Sequence, residues 1–315
     1  MARQWDDLRL APVVKEAVAA LKWGAPTDVQ AAAVPAVLSG KDVAVQAGTG
    51  SGKTGAYAVP LVQRLLLDRQ LRQQGRLAGA DAATTGAGGP ATTATMALVL
   101  VPSLELAGQT VAVLNKVARY VKPKVTILNV CDRPAGGEPI TPGTTVEVLV
   151  STPAALAQLL RAGGVASAVL GGLRLCVVDE ADMLVSTTSL ALLQQHFAPS
   201  LQVVLLSATL TDGVLAVQRR LLRQPVSIRV DNTAAGDDGD AAAAAGDDAA
   251  VETRFRPAHG TLRHRYLVAT DEAHHYTLLY ALFRLNLLHG KTLIFVEEED
   301  NTYKVQHFLE QVGVS

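Results

Sequence analysis

The sequence predicts a doubly wound α/β domain, a parallel sheet covered by helices, and three observations predict it. Short β-branched apolar runs recur between residues 43 and 230. A connection long enough for a helix or an extended turn follows each one. The runs are continuously apolar and do not alternate with polar residues. Continuous apolar runs fit strands whose two faces are both buried, and their regular interleaving with helical segments gives helices on both sides of a parallel sheet.

The runs, in order, are VAVQ (43–46), MALVLV (96–101), VTILNV (125–130), VEVLVS (146–151), LCVV (175–178), VVLLS (203–207) and VSIRV (226–230). Val, Ile and Leu dominate them, as the pleated, doubly covered strand environment favours. In such sheets ligands bind beyond the carboxyl ends of the strands, so the residues that follow each run carry the functional reading.

Composition bounds that reading. The chain has 315 residues, 49% of them hydrophobic, enough for a substantial core and for about two domains. A net charge of −1 means that any nucleic-acid contact depends on local geometry and not on a global basic field. Cys131 and Cys176 lie in apolar runs without a CxxC or histidine partner, which suits reduced thiols in an intracellular protein and points to neither a disulfide framework nor a metal site. MARQWDDLRL lacks a signal-peptide core, and no 18-residue window is continuously apolar, so a soluble protein with no membrane partner is expected.

Two segments interrupt the pattern. Residues 75–95 are rich in Gly, Ala and Thr and read as a flexible surface insertion. Residues 232–250 carry five aspartates and almost no large apolar side chain, which is the composition of a solvated linker. The expected organisation is therefore a first domain over 1–231, a linker over 232–250 and, over 251–315, the opening of a second α/β unit. That opening holds a helical segment (271–288), a strand TLIFVE (292–297) and a final helical NTYKVQHFLEQVG (301–313), too few strands to close a sheet.

Two motifs carry chemistry. AGTGSGKT, comprising Ala47, Gly48, Thr49, Gly50, Ser51, Gly52, Lys53 and Thr54, follows the first strand and opens an apolar helix. The glycines let backbone N–H groups turn toward phosphate oxygens, and the helix N-terminus adds its positive dipole end. Lys53 is expected to stand exposed as a ligand of the β- and γ-phosphates, and Thr54 to hold Mg²⁺. The flanking strand and helix separate this phosphate-binding loop from an ordinary glycine-rich turn. The second motif is VVDEAD, in which Asp179 would position the Mg²⁺ shell and Glu180 would polarise the attacking water; Asp182 suits coupling to neighbouring segments. Alone, it would read as an acidic helix N-terminus.

With both motifs in place, the chain resembles a DEAD-box RNA helicase. The resemblance rests on AGTGSGKT with Ala47 at its first position, a variant typical of helicases, on DEAD at 179–182, and on SAT (Ser207, Ala208, Thr209). It implies ATP and Mg²⁺ as cofactors and assigns Ser207–Thr209 to coupling the nucleotide with domain closure. Upstream, Trp5 and WGAPTDVQ are similar to the family's adenine-recognition element: Trp23 would stack on adenine, beside Thr27, and Gln30 would read its edge with one donor and one acceptor.

The RNA-contact elements of the family resemble PSLELAGQ (102–109) and STPAALAQ (151–158), which implies RNA contacts at Pro102, Ser103, Thr152 and Pro153. Leu104 and Ala155 stand where the family carries basic residues, which weakens the expected grip and leaves backbone amides around Ser103, Thr152 and Pro153 to hold phosphates. NVCDRP occupies the place of the family's glycine doublet. LLYALFRLNLLHGKTLIFV followed by NTYKVQHFLEQ is similar to the nucleolar branch that assists large ribosomal subunit assembly.

The resemblance thus implies a monomeric ATP-dependent RNA helicase acting on ribosomal precursor RNA among pre-ribosomal proteins in the nucleolus. Residues 1–315 alone are expected to bind ATP but barely hydrolyse it, because the family's later motifs supply the catalytic arginines. A nucleotide-binding assembly scaffold that has lost its grip on RNA stands as the alternative, motivated by Leu104 and Ala155.

Overall fold

A computed structural model describes residues 4–75, 96–132, 146–161, 172–185, 197–230, 252–255, 265–288, 290–297 and 299–313. Residues 76–95 of the expected insertion and the whole expected linker, 232–250, lie outside the described residues. The chain divides into two compact units, Met1–Gly260 and Thr261–Ser315.

The first unit contains one parallel sheet. Its strands are β1 (Val43–Ala47), β2 (Ala97–Leu100), β3 (Ile127–Asn129), β4 (Val148–Ser151), β5 (Leu175–Val178), β6 (Gln202–Ser207), β7 (Val226–Val230) and β8 (Glu252–Phe255), in the order β3-β4-β2-β5-β6-β1-β7-β8. The first seven are the seven expected runs, most trimmed or extended by a residue or two. β8 is an addition that pairs with β7, Ser227 opposite Glu252.

Side chains of the central strands alternate between two buried layers. Val43, Val45 and Ala47 point into one layer and Ala44 into the other; Ala97 and Val99 oppose Leu98 and Leu100; Leu175 and Val177 oppose Cys176 and Val178. The first layer is closed by α1 (Pro12–Ala20), α2 (Asp28–Leu38), α3 (Lys53–Gln73) and α4 (Leu104–Val117), through residues such as Val14, Val34, Leu61 and Leu114. The second is closed by α5 (Pro153–Arg161), α6 (Ala181–Leu184) and α7 (Asp212–Leu221), through Leu156, Leu184 and Val214. Burial on both faces is why the runs read as unbroken apolar stretches.

The register places the functional motifs. Gln46 pairs with Ser207, Val178 with Leu205, and Leu100 with both Val178 and Ser151. Parallel pairing therefore brings the carboxyl ends of β4, β2, β5, β6 and β1 to one edge, and the segments after them form a continuous row.

The second unit contains α8 (Glu272–Arg284), N-capped by Asp271, which accepts from His274 N–H at 2.8 Å, and α9 (Glu299–Gln311). Tyr276 and Phe308 meet edge to face with centroids 5.0 Å apart. The strand expected at TLIFVE does not form, and Leu293 and Phe295 are 83% and 90% exposed. A strand exists only as part of a ladder, and no other strand is found among the described residues of this unit. No helix among the described residues is long and apolar enough to cross a membrane.

Candidate active site

The loop between β1 and α3 is shaped by its glycines. Gly52, at the N-cap of α3, has φ 92°, a left-handed conformation that costs an L side chain about 1 kcal/mol or more. The first bond of the helix runs from Ala56 N–H to Gly52 O at 3.1 Å. The N–H groups of Lys53, Thr54 and Gly55 precede it and are the orphan donors of the helix start. Ser51 Oγ is buried without a partner. Orphan amides, an unpartnered buried hydroxyl and a helix N-terminus together make a fitting cradle for phosphate oxygens.

Lys53 corrects one expectation. It is only 6% exposed, because its ammonium donates to Ala47 O at 3.0 Å and pairs with Glu180 Oε1 at 3.2 Å. β6 lies between β1 and β5, so this ion pair reaches across an intervening strand. Glu180 is set for it by a strained backbone, φ 48° and ψ 53°, and its N–H donates to Asp179 Oδ1 at 2.9 Å. Left-handed conformations at non-glycine residues cost on the order of 1–3 kcal/mol and cluster at functional sites.

Asp179 is buried, 8% exposed, at the carboxyl end of β5. Burial pushes its carboxyl up to about 6; the neighbouring Glu180 charge raises it further, while hydrogen bonds from Tyr57 and the Glu180 amide, and the Lys53 charge, oppose the rise. Among the described residues no three His, Cys, Asp or Glu side chains cluster as a metal cage. A cation here would take Thr54 and Asp179 from the chain and the rest of its oxygen ligands from phosphates and water, the usual arrangement for Mg²⁺. The donor set fits the expected group.

Tyr57, which the sequence reading passed over, joins the same cluster. It is the one polar side chain in the helical stretch Gly55–Leu61, one turn beyond Thr54, and it is fully buried. That placement was the available signal: a lone hydroxyl on the face of α3 that carries Thr54. Burial and the Asp179 charge keep its phenol far above the ordinary value, hence protonated.

Asp182 and the SAT segment are in contact. The Thr209 hydroxyl donates to Asp182 Oδ2 at 2.9 Å, and Asp182 Oδ1 is buried without a partner. Ser207 Oγ donates to Thr209 O at 2.7 Å and accepts from Thr209 N–H, a local turn that holds Ala208 at the strand end.

The residues expected to recognise adenine lie beside the loop. Thr27 caps α2: its hydroxyl accepts from Gln30 N–H at 3.3 Å, and its own N–H donates to Gln30 Oε1 at 3.1 Å. Gln30 Nε2 donates to Gly52 O at 3.2 Å, tying the element to the phosphate loop. One amide hydrogen and one carbonyl lone pair of Gln30 remain for a base edge. Trp23 stacks on Trp5 with centroids 6.3 Å apart, over Gly55, where a Cβ would come within 3.1 Å of the indole and 2.6 Å of Gln30 Nε2.

Farther along the row, after β2 and β4, lie the segments read as RNA contacts. Pro102 and Ser103 follow β2, and Ser103 caps α4 by accepting from Leu106 N–H at 3.2 Å. Thr152 and Pro153 follow β4. Their backbone offers less than expected: Thr152 N–H already donates to Cys131 Sγ at 3.3 Å, and proline has no N–H. Leu104 is 64% exposed, whereas Ala155 packs against the second apolar layer.

The DEAD/DEAH box helicase family model matches residues 27–217. Similar curated proteins include the ATP-dependent RNA helicase DBP9 of Phaeosphaeria nodorum, 29% identical over 98% of this chain and 44% of the relative. DBP9 of Cryptococcus neoformans var. neoformans is 33% identical over 95% of this chain and 43% of the relative. The chain thus spans a little under half the length of these relatives. A solved structure of S. cerevisiae Dbp5 bound to RNA and ADP BeF3 superposes with a TM-score of 0.68 at 20% identity, covering 100% of this chain and 68% of that one, a likeness of fold. On the family match and the motifs at the sheet edge, this chain belongs to the DEAD/DEAH box helicase family.

Proposed function

We propose that residues 1–231 form the ATP-binding domain of an RNA helicase that remodels RNA, or RNA–protein complexes, during ribosome assembly. The observation that carries this reading is the ion pair from Lys53 to Glu180, which joins the phosphate loop to the carboxylate motif across β6. Its two members are the groups a triphosphate would separate, Lys53 turning to the phosphates and Glu180 released to orient water. Mg²⁺, when bound, supplies charge neutralisation at the phosphate oxygens; Thr54 and Asp179 would hold it. Trp23 and Gln30 select the adenine base. The Asp182–Thr209 bond couples the carboxylate motif to the end of β6, the route by which nucleotide occupancy would reach a second domain.

RNA would cross the row at Pro102–Ser103 and Thr152–Pro153. The DBP9 names of the relatives support the helicase reading, and ribosomal precursor RNA in the nucleolus is the substrate and setting proposed, with the second compact unit, residues 261–315, as the start of the second helicase domain. Leu104, an exposed apolar residue on this row, favours a second reading, a nucleotide-binding scaffold with a weak RNA grip.

Lys53→Ala tests the shared premise. Binding of a fluorescent adenine nucleotide by the 315-residue chain should be lost while its thermal melt stays cooperative; unchanged binding would overturn the assignment. RNA-stimulated ATP turnover by the full-length protein separates helicase from scaffold.

A further inference from the structure

Three arginines share one carboxylate at the amino ends of β5 and β6. Arg64, Asp68 and Arg72 follow one another at intervals of four on α3, so they lie along one stripe of that helix. Arg174 immediately precedes β5, whose first residue, Leu175, pairs with Gln202, the first of β6. Asp68 is buried; its Oδ1 accepts from Arg174 Nη1 at 3.2 Å, and Arg72 Nη2 stands 3.7 Å from Oδ2, which has no hydrogen-bond partner among the described residues. Arg64 turns instead to a neutral group, Nη1 donating to Gln202 Oε1 at 2.6 Å.

The charges of this cluster do not balance. Asp68 offers two oxygens, one to Arg174 and one to Arg72, and Arg64 is left without a carboxylate in ion-pair contact among the described residues. A half-buried cation without a charged partner is unfavourable unless an anion reaches it. Burial pulls the Arg64 guanidinium below its ordinary value; Asp68 opposes the shift and the Arg174 charge adds to it. A network that only tied α3 to the sheet would be complete with Asp68 and Arg174. Arg72 and Arg174 are partly exposed, and each guanidinium carries five N–H donors in a fork that matches phosphate oxygens.

The chain as a whole carries a net charge of −1, so a phosphate backbone can be held only where positive charge is locally in excess. The row at the carboxyl edge is poor in such charge: Leu104 and Ala155 are not basic, and the Thr152 amide is committed to Cys131. β6 has six residues, which separates its two ends by roughly 17 Å. A phosphate at the amino edge therefore belongs to a different stretch of RNA from one on the row. We propose that Arg64, Arg72 and Arg174 form a second phosphate-binding site, which grips the RNA backbone at the edge of the sheet opposite the nucleotide. The inference rests on reading the chain as part of an RNA helicase.

The test is binding of a fluorescent single-stranded RNA by the 315-residue chain across salt concentrations, with a fluorescent ADP analogue titrated in parallel. Arg64→Gln combined with Arg72→Gln leaves the Arg174–Asp68 bridge in place. This double variant should lose roughly tenfold in RNA affinity at low salt, and its salt slope should fall by about 1.4, or about 0.7 for each phosphate contact removed, with nucleotide affinity unchanged. Asp68→Asn raises the charge excess and should tighten RNA binding. Lys116→Gln removes an exposed cation outside the cluster and should change the slope by less than half as much. Unchanged RNA affinity and slope in the double variant overturn the proposal, and leave an acidic protein segment as the ligand this excess would suit. Weaker RNA binding by an Asp68→Asn chain that still melts cooperatively overturns it too, as the mark of a merely structural network; if that chain does not fold, the double variant decides alone. An equal effect of Lys116→Gln, or no RNA binding by the wild-type chain at low salt, also overturns it. RNA-stimulated turnover by the full-length protein judges the helicase reading separately, so failure of one is distinguishable from failure of the other.

Discussion

Asp179→Asn should make the unliganded protein more stable at neutral pH. The carboxyl is 8% exposed and pushed from 3.8 to about 6, chiefly by burial. A folded-state value above the unfolded one means that folding disfavours the charged form. The resulting penalty is small below about pH 4, grows as the pH rises through 6 and is complete above about pH 7. At about 1.4 kcal/mol per pH unit, the rise corresponds to roughly 3 kcal/mol at pH 7.5 and roughly half of that at pH 5. Asparagine keeps an oxygen to accept from Glu180 N–H, but its amide replaces the second carboxylate acceptor with a donor, a loss of about 1 kcal/mol. The net gain is about 2 kcal/mol at pH 7.5, or about 4–8 °C in Tm for a domain of this size, and most of it disappears at pH 5. Thermal unfolding of both proteins at the two pH values measures it. A variant less stable than wild type at pH 7.5, or a gain that does not shrink on acidification, would refute the burial argument.

Two further substitutions probe the row. In the full-length protein, Glu180→Gln should preserve nucleotide binding and slow hydrolysis by about 100-fold or more, since an amide cannot act as the base that orients water; near-normal turnover would make the carboxylate structural. Leu104→Arg, at an exposed position on the first turn of α4, should tighten single-stranded RNA binding and steepen its salt dependence by about one phosphate contact. An unchanged salt slope would place RNA elsewhere. Adding Ala155→Arg should bring less than its partner, because the Ala155 side chain packs against the second apolar layer and a guanidinium there must first be lifted out.

Sequence by itself determined the sheet and the two motifs of the candidate site. Each of the seven runs from VAVQ to VSIRV is a local pattern, and a strand covered on both faces has no alternative but to be apolar throughout. AGTGSGKT and DEAD are equally local, because phosphate cradling and carboxylate placement depend on backbone turns only a few residues long. What only the tertiary structure decided depends on contacts between distant segments. Strand order put β6 between β1 and β5, and so made Lys53 a buried partner of Glu180 and not the exposed ligand its motif suggests. The buried Tyr57 hydroxyl found its partner in Thr110 of α4, which sequence places far from it. The Thr152 amide was claimed by Cys131, from a segment with no recognisable motif. TLIFVE, a strand by every local criterion, stayed without a ladder. Hydrogen bonds of a sheet and pairings of buried polar groups are made between segments, so a pattern confined to one segment shows the capacity for them, and packing selects which are realised.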